Sequence, residues 1–158
     1  MTRAADSITT LGSLNTILTT LPQSVYGDAI WNNGTAAITG YWRVVGASSG
    51  TNMAYLQNPY PETAKVSMYD GSVTLTATFG GSLTWQGGVK VASGQSSGGR
   101  SLVGGGGTVA TDAFSAVSTS PAIGRGTDAN STTYGYIRRL AVWNSRLADA
   151  TLQALTAP

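Results

Sequence analysis

The chain has 158 residues, and its 41% apolar residues are enough for one packed core. Charged residues make up only 10%, against about 25% in an average soluble domain. The nine basic and seven acidic residues leave a formal net charge of +2 and form no basic run along the sequence. Because phosphate backbones are bound by clustered Lys and Arg, this composition argues against a nucleic-acid partner.

The chain contains neither Cys nor His. Disulfides, thiolate chemistry, imidazole metal ligands and imidazole general bases are therefore excluded. The first residues lack a basic region followed by an apolar run, and no apolar stretch approaches the roughly 18 residues that cross a bilayer. We therefore expect no signal peptide and no membrane insertion.

The first predicted element is a short helix. Ser13 is its expected N-cap, Leu14, Ile17, Leu18 and Leu21 form its apolar stripe, and Pro22 is its expected stop.

Strand patterns of period two dominate from about residue 25 onward. In "SVTLTATF", residues 73, 75, 77 and 79 are expected to face the core, with 74, 76 and 78 on an outer face lined by Thr. The run "AKVSMY" alternates in the same way, and Asp70-Gly71 between the two runs predicts a hairpin over residues 64–79. The other predicted strands are Val25–Trp31, Tyr41–Val45, Met53–Leu56, Val89–Ala92, Ser101–Val103, Thr108–Ala110 and Tyr136–Trp143.

The glycine-rich segment "SGQSSGGRSLVGGGG" has two interpretations, a flexible linker or two tight turns around a strand at Ser101–Val103. Apolar runs on both sides favour the turns, because a linker would split the chain into pieces too small to fold. Eight or nine short strands then predict an all-β, antiparallel sandwich of the jelly-roll type. We expect one domain over residues 1–158, with 1–11 as a candidate assembly arm.

The segment "AIGRGTDANSTTYGYIRRLAVWNSRLADATLQALT" resembles the end of laminin-G-like, concanavalin A-like jelly rolls. In those domains an "IGR" strand, a loop, a final strand ending in Trp-Asn and a short helix follow one another. The segment "VKVASGQSSGGRSLVGGGGTVATDAF" is similar to the paired strands of the same family, and "TRAAD" matches a subgroup found in phage tail and virion proteins. The resemblance implies a jelly roll whose last helix is at the C-terminus.

The end of the chain has its own physical logic. Ile137 and Leu140 can both face the core only if a bulge at Arg138-Arg139 interrupts the alternation, which would place both arginines on the outer side. The helix that follows is expected to cover an open end of the sandwich with Leu147, Leu152 and Leu155. With Ala148 where the family usually has Ser or Thr, Asp149 is the expected N-cap.

Catalytic and metal patterns are weak. Glycoside hydrolysis needs paired carboxylates, but the single Glu is Glu62 and the six Asp residues are isolated. A Ser or Thr nucleophile needs a His or Lys base, and the only lysines, Lys65 and Lys90, are on alternating strand surfaces. The sequence therefore predicts no nucleophile with its base. Asp70, Asp128 and Asn130 suit turns better than a calcium site, and "GGGG" at 104–107 lacks the Lys of a phosphate loop. We expect no enzyme activity, no metal and no cofactor.

Aromatic residues are the remaining candidates for a binding surface. Many of them fall in one third of the chain, and most are equally compatible with core packing. Tyr41 and Trp42 are adjacent on a strand, so one of them must face away from the core. The predicted binding residues, for a protein partner or a glycan, are Trp31, Tyr41, Trp42, Tyr55 and Tyr60.

The resemblance implies a non-enzymatic virion structural protein, a capsid or tail decoration or fibre component on the virion surface, assembled in the host cytoplasm. Its expected partners are other virion proteins, host-surface glycan and further copies of itself, since few charges keep copies apart and a trimer is the form typical of such appendages. The alternative is a lectin-like carbohydrate-binding module of phage or bacterial origin. A glycan hydrolase is the third class, and Glu62 is its only candidate Glu.

Overall fold

The structure is a computed structural model that describes residues 8–9, 13–31, 41–47, 52–57, 65–69, 74–80, 88–113, 121–123 and 135–158. Within these ranges, side chains are described at 14–30, 66–68, 74–80, 90–113, 123 and 137–158, and the other positions by their backbone. The predicted sites at Tyr60, Glu62, Asp70, Asp128 and Asn130 lie outside the described residues, as does most of the candidate arm at 1–11.

Eleven strands and two short helices make up the described part of the chain. The strands are β1 Ile8–Thr9, β2 Gln23–Trp31, β3 Tyr41–Ala47, β4 Asn52–Gln57, β5 Lys65–Tyr69, β6 Thr74–Thr78, β7 Gly88–Ser96, β8 Gly99–Gly104, β9 Ala110–Asp112, β10 Pro121–Ile123 and β11 Gly135–Trp143. The helices are α1 Ser13–Leu18 and α2 Asp149–Thr156. Among the described helices none is both long and apolar enough to span a membrane.

The strands form two antiparallel sheets. The six-stranded sheet has the order β1-β10-β3-β4-β5-β6, and the five-stranded sheet has the order β11-β2-β7-β8-β9. This confirms the predicted all-β antiparallel sandwich with a C-terminal helix. The short strands β1 and β10 are the elements that alternation could not reveal, because two or three residues carry too little pattern.

One core lies between the sheets. Along β6 the exposed Thr74, Thr76 and Thr78 alternate with the buried Leu75 and Ala77, and Phe79 continues the buried set, as predicted. Position 73 lies outside the described residues. The other buried members of this core are Leu18, Val25, Ala29, Val66, Met68, Val91 and Leu102. The pairing of β5 with β6, from Lys65 with Thr78 to Tyr69 with Thr74, confirms the hairpin, and the predicted Asp70-Gly71 turn lies outside the described residues.

The five-stranded sheet is covered on its second face as well. A separate cluster there contains Tyr26, Ala92, Val103 and Leu152, with Leu147 and Leu155 partly buried against it. The helix α2 therefore packs on the outer face of this sheet, over β7 and β8. The prediction that it covers an open end of the sandwich is wrong. An apolar row on the outer side of a sheet needs a cover, and α2 is the element that provides it.

The start of α2 also differs from expectation. Ala148 occupies the N-cap position without a side-chain hydrogen bond, so the prediction of Asp149 as the cap is wrong. Asp149 is instead the first helical residue, and its Oδ1 accepts a hydrogen bond of 2.6 Å from the Ser101 hydroxyl. Ser24 fixes the preceding turn, accepting from the Leu147 N–H at 2.9 Å and donating to the Ser145 carbonyl at 2.9 Å. Two serines of the sheet thus fasten the start of α2, although neither accepts a hydrogen bond from the first-turn N–H groups of the helix.

The predicted bulge in β11 is confirmed. The pairing of β11 with β2 shifts register between Ile137 and Arg139. As a result Ile137 and Leu140 both pack against the core between the sheets. The two arginines between them lie on the opposite side of the strand, in the outer region of the five-stranded sheet.

The "GGGG" segment is a tight turn from β8 towards β9, as predicted, and it brings the two sheets into direct contact. The Gly80 N–H donates to the Gly104 carbonyl at 3.0 Å. A Cβ at Gly104 would lie 2.3 Å from Val66 Cγ2, and one at Gly105, where φ is +57°, would lie 2.6 Å from Phe79 Cε1. Only glycine allows this approach of the two backbones.

A buried polar row crosses the inner side of the five-stranded sheet. Gln23, Gln95, Arg100 and Asp112 are direct register partners on four adjacent strands. Arg100 is 1% exposed and donates from Nε and Nη2 to the Asp112 carboxylate at 2.8 Å each. The forked geometry compensates the burial of this charge.

We expect Leu152→Ala to lower the free energy of unfolding by about 2 to 5 kcal/mol, because Leu152 is fully buried beneath α2. Leu155→Ala is the matched control, and it should cost less because Leu155 is only half-buried. Urea denaturation of both variants measures the difference. Equal losses would mean that the two leucines contribute equally to the contact of α2 with the sheet.

The contact between the sheets at Gly80 can be tested separately. A methyl group there would lie 2.4 Å from the Gly107 nitrogen, so Gly80→Ala should destabilise the fold by about 1 to 3 kcal/mol. Gly98→Ala is the control, since its nearest atom would be 3.9 Å away, and it should be neutral or stabilise by up to about 1 kcal/mol. Thermal unfolding of the pair shows whether close backbone packing matters at Gly80.

Candidate functional site

The register of β3, β4, β5 and β6 places their residues in rows across four strands. The middle row is Trp42, Leu56, Val66 and Ala77. Val66 and Ala77 belong to the core between the sheets. Because side chains alternate between faces, the rows on either side of the middle row belong to the outer face of the six-stranded sheet.

These outer rows, which we call the β3–β6 outer face, are rich in aromatic and polar residues. One row is Tyr41, Gln57, Lys65 and Thr78, and the other is Arg43, Tyr55, Ser67 and Thr76. A third, beyond an irregularity in the pairing, is Asn52, Tyr69 and Thr74. Tyrosines, amides, hydroxyls and two cations thus share one face of four adjacent strands.

The described side chains of this face differ in their exposure to solvent. Thr74, Thr76 and Thr78 are exposed along β6, whereas Ser67 on the neighbouring strand is fully buried. The hydroxyls of Ser67 and Thr76 lie 3.3 Å apart in a hydrogen bond. The side chains of this face are therefore exposed along β6 and covered at Ser67 on β5.

The charged residues within strands β3–β6 are both basic. Arg43 and Lys65 are in the outer rows, and the four strands contain no Asp or Glu. A planar guanidinium pairs with a carboxylate through two parallel hydrogen bonds, and an ammonium adds a point charge. Tyrosine provides an apolar ring with a polar hydroxyl at its end. This combination suits a ligand that has apolar ring faces, hydroxyl groups and a negative charge.

The structure separates the five residues predicted as a binding surface. Tyr41 and Tyr55 are in adjacent outer rows, diagonal to one another. Trp42 is in the core-side row, so the two neighbours Tyr41 and Trp42 do belong to opposite faces. Trp31 ends β2 in the other sheet, opposite Gly135. Their side chains, and all of Tyr60, lie outside the described part, so their binding role stays a prediction.

Arg43, Gln57, Lys65 and Tyr69 share the face but were not predicted as site residues. The alternation of Tyr41 with Arg43, and of Tyr55 with Gln57, is visible in the sequence and places each pair on one face. The pairing of β3 with β4 and of β4 with β5 is not visible, because it depends on strand order. Lys65 was predicted to face outward, and the register agrees.

A second polar group lies on the outer face of the five-stranded sheet. Arg138 donates from Nη2 and Nε to Asp28 Oδ1 at 2.6 and 3.1 Å. Tyr26, two residues before Asp28, is 8% exposed. Burial raises the pKa of the Tyr26 phenol and the Asp28 charge raises it further, while Arg139 and Arg138 lower it.

The contacts of the Ser101 hydroxyl do not activate it as a nucleophile. Its hydroxyl donates to Asp149 and accepts a hydrogen bond of 2.5 Å from Arg146 Nη2. Ser101 is fully buried beneath the start of α2. A carboxylate and a guanidinium at this hydroxyl fasten the helix to the sheet, and no imidazole or amine base is present among these contacts.

No protein-family model matches the chain, and no curated protein matches its sequence. Solved structures do match its fold. A Ruminococcus gnavus IT-sialidase CBM40 has 15% identity and a TM-score of 0.62, with 97% of each chain covered. The same module bound to α2,3-sialyllactose has 13% identity and a TM-score of 0.66, covering 97% of this chain and 93% of that one. A heptameric SAP-like pentraxin from Limulus polyphemus has 13% identity and a TM-score of 0.63, covering 86% and 70%. These likenesses establish a concanavalin A-like jelly roll.

The raised pKa of Tyr26 predicts a pH dependence of stability. The unfolded chain loses this proton near pH 10, whereas the folded chain retains it to higher pH. The contribution of the Tyr26 proton to stability is therefore fully present below about pH 10, and it is lost as pH rises through the pKa of the phenol in the folded chain. The free energy of unfolding should fall less steeply above pH 10 for Tyr26→Phe than for the unaltered chain. Identical slopes would contradict this assignment.

Proposed function

We propose that this chain is a non-enzymatic carbohydrate-binding module that holds an acidic sugar on the β3–β6 outer face. The observation that carries the proposal is the register, which brings Tyr41, Arg43, Tyr55, Gln57 and Lys65 into two adjacent rows. The rows are built on regular strands, and rigid elements hold binding groups more accurately than loops do.

The chemistry of a glycan accounts for the composition of this face. A tyrosine ring packs against the apolar side of a pyranose, and its hydroxyl remains free to bond. Gln57 offers two donors and an acceptor that match sugar hydroxyls. The two cations without a nearby acidic residue in β3–β6 favour a carboxylate-bearing sugar over a neutral one. The solved neighbours support the proposal, since the R. gnavus module was determined with sialyllactose bound.

The catalytic interpretation has less support. Retaining and inverting glycosidases place two carboxyl groups about 5 to 9.5 Å apart across the scissile bond. The described acidic residues are Asp28, Asp112 and Asp149, and each accepts a hydrogen bond from an arginine. Asp112 belongs to the inner side of the five-stranded sheet. Asp28 and Asp149 belong to its outer side, but Asp149 bonds Ser101 in the row of Ser24, four residues (about 13 Å) along β2 from Asp28. No described pair therefore has the spacing that frames a sugar.

Isothermal titration with 3′-sialyllactose, and with lactose as the neutral comparison, tests the proposal. We expect saturable binding of the acidic sugar and much weaker binding of lactose. Arg43→Gln should weaken sialyllactose binding about tenfold, which is about 1.4 kcal/mol, and should narrow the difference between the sugars. Arg146→Gln is the control that removes an equal charge at the other sheet, and its affinity should be unchanged.

Two outcomes would contradict the proposal. In the first, neither sugar binds at millimolar concentration and an array of acidic and neutral glycans contains no ligand. In the second, binding is equally weakened by Arg43→Gln and Arg146→Gln, which would indicate general electrostatic attraction. Circular dichroism of each variant verifies that the sandwich is intact.

The virion role stays a proposal about where such a module works. The sequence resemblance supports it, whereas the neighbours named above are a sialidase module and a pentraxin. A trimer on a virion surface would present several copies of the β3–β6 outer face, and several weak sites then act together. Light scattering of the purified chain tests the trimer, and immunogold labelling of particles tests the location.

A further inference from the structure

Within the described part of the chain, α2 covers one part of the outer face of the five-stranded sheet. The helix α2 packs over Ala92 and Val103. It ends at Thr156, and the Ala157 carbonyl beyond its end accepts a hydrogen bond of 2.5 Å from Lys90 Nζ. Beyond this point the sheet continues in a row of direct register partners, Arg139, Asp28 and Lys90 on three adjacent strands. The end of a helix thus stands beside an open row of charged residues.

The bulge in β11 adds a fourth charge to this place. In a regular strand Arg138 and Arg139 would lie on opposite faces. The register shift after Ile137 sends both to the outer side, and Arg138 reaches Asp28 from there. Arg139 and Arg138 both lower the pKa of the Tyr26 phenol, which places both guanidinium groups near this side chain. Bulges commonly redirect a side chain towards a functional site.

The charges in this row do not balance. Lys90, Arg138 and Arg139, which we call the outer basic group, are three of only nine basic residues in the chain. The acidic residue among them is Asp28, whose side chain is 10% exposed and accepts Arg138. Arg139 is exposed and makes no ion pair or hydrogen bond within the described part of the chain.

Structural roles account for two of the three cations. Lys90 neutralises the carbonyl end of α2, where the helix dipole is negative. Arg138 compensates the mostly buried charge of Asp28. Neither role needs Arg139, which raises the number of cations around the single carboxylate of Asp28 to three. Its position is explained if a negative group from outside completes the row.

We propose that the outer basic group binds an oxyanion, a sulfate, phosphate or carboxylate group, in the angle between the end of α2 and strand β11. Arg139 supplies the free guanidinium fork for two oxygens. Arg138, whose side chain is 45% exposed, and Lys90 supply further donors.

This site is separate from the β3–β6 outer face. The two sheets of a sandwich turn their outer faces in opposite directions. The glycan site proposed above belongs to the six-stranded sheet, and the outer basic group belongs to the five-stranded sheet. The oxyanion proposal therefore does not depend on the glycan proposal, and one can fail while the other holds.

Titration with sodium sulfate, followed by amide NMR signals of β2 and β7 and without glycan, tests the proposal. Sodium chloride keeps the ionic strength constant, since screening alone alters weak charge contacts. We expect saturable shifts centred on residues 27–29 and 90–92. Arg139→Gln should weaken sulfate binding at least fivefold. The Arg139→Gln variant should have the same melting temperature as the unaltered chain, because the Arg139 side chain is exposed and has no partner among the described residues.

Arg146→Gln is the matched control, because it removes one positive charge from the same sheet face at the opposite end of α2. Its sulfate affinity should stay within twofold of the unaltered chain. Inorganic phosphate and acetate, titrated in the same way, show whether the site prefers a tetrahedral or a planar oxyanion. Non-saturating shifts would overturn the proposal, as would equal weakening by Arg139→Gln and Arg146→Gln.

Discussion

Alternation along each strand is the constraint on which the rest of this molecule depends. A strand in a two-sheet sandwich can offer only every second residue to the shared core, so each sheet has a second face that needs its own solution. The five-stranded sheet has apolar residues on that face, and α2 covers them with Leu152 at the centre. The six-stranded sheet has tyrosines, cations and hydroxyls in its outer rows along β3 to β6. The covered face stabilises the fold, and the polar face is the one on which we propose that a ligand binds.

Because the chain has few charged residues, a structural role can be assigned to each of its described charged contacts. Among the described residues Arg100 holds Asp112 inside the sandwich, Arg146 holds Asp149 at the start of α2, and Lys90 meets the end of the same helix. These contacts secure an interior polar row and both ends of one helix. Arg139 has no such task. In a chain with abundant surface charge an arginine without a partner among the described residues would carry no information, but here it supports the oxyanion site that we propose.

The sequence predicted those features that depend on short-range pattern. Alternation predicted β6 and its buried Leu75 and Ala77, and the broken alternation between Ile137 and Leu140 predicted the bulge in β11. Features that depend on long-range pairing were not predictable in this way. The placement of α2 on a sheet face requires knowing that Tyr26, Ala92 and Val103 are neighbours on three strands. Asp149 was a reasonable cap by local rules, but Ser101, far away in sequence, holds its carboxylate. The two outer rows of β3–β6 likewise exist only after four strands have paired.

The same long-range pairing is the reason why we propose binding rather than catalysis for this chain. Hydrolysis of a glycan needs two carboxylates that face one bond with different protonation. Here the described carboxylates are engaged by arginines at Asp28, Asp112 and Asp149, where they hold the fold together. Basic residues belong to both outer faces, Arg43 and Lys65 by register on one and the exposed Arg139 on the other. Three described acidic residues paired with arginines, and an arginine without a described partner at Arg139, favour the binding of a negative ligand that we propose.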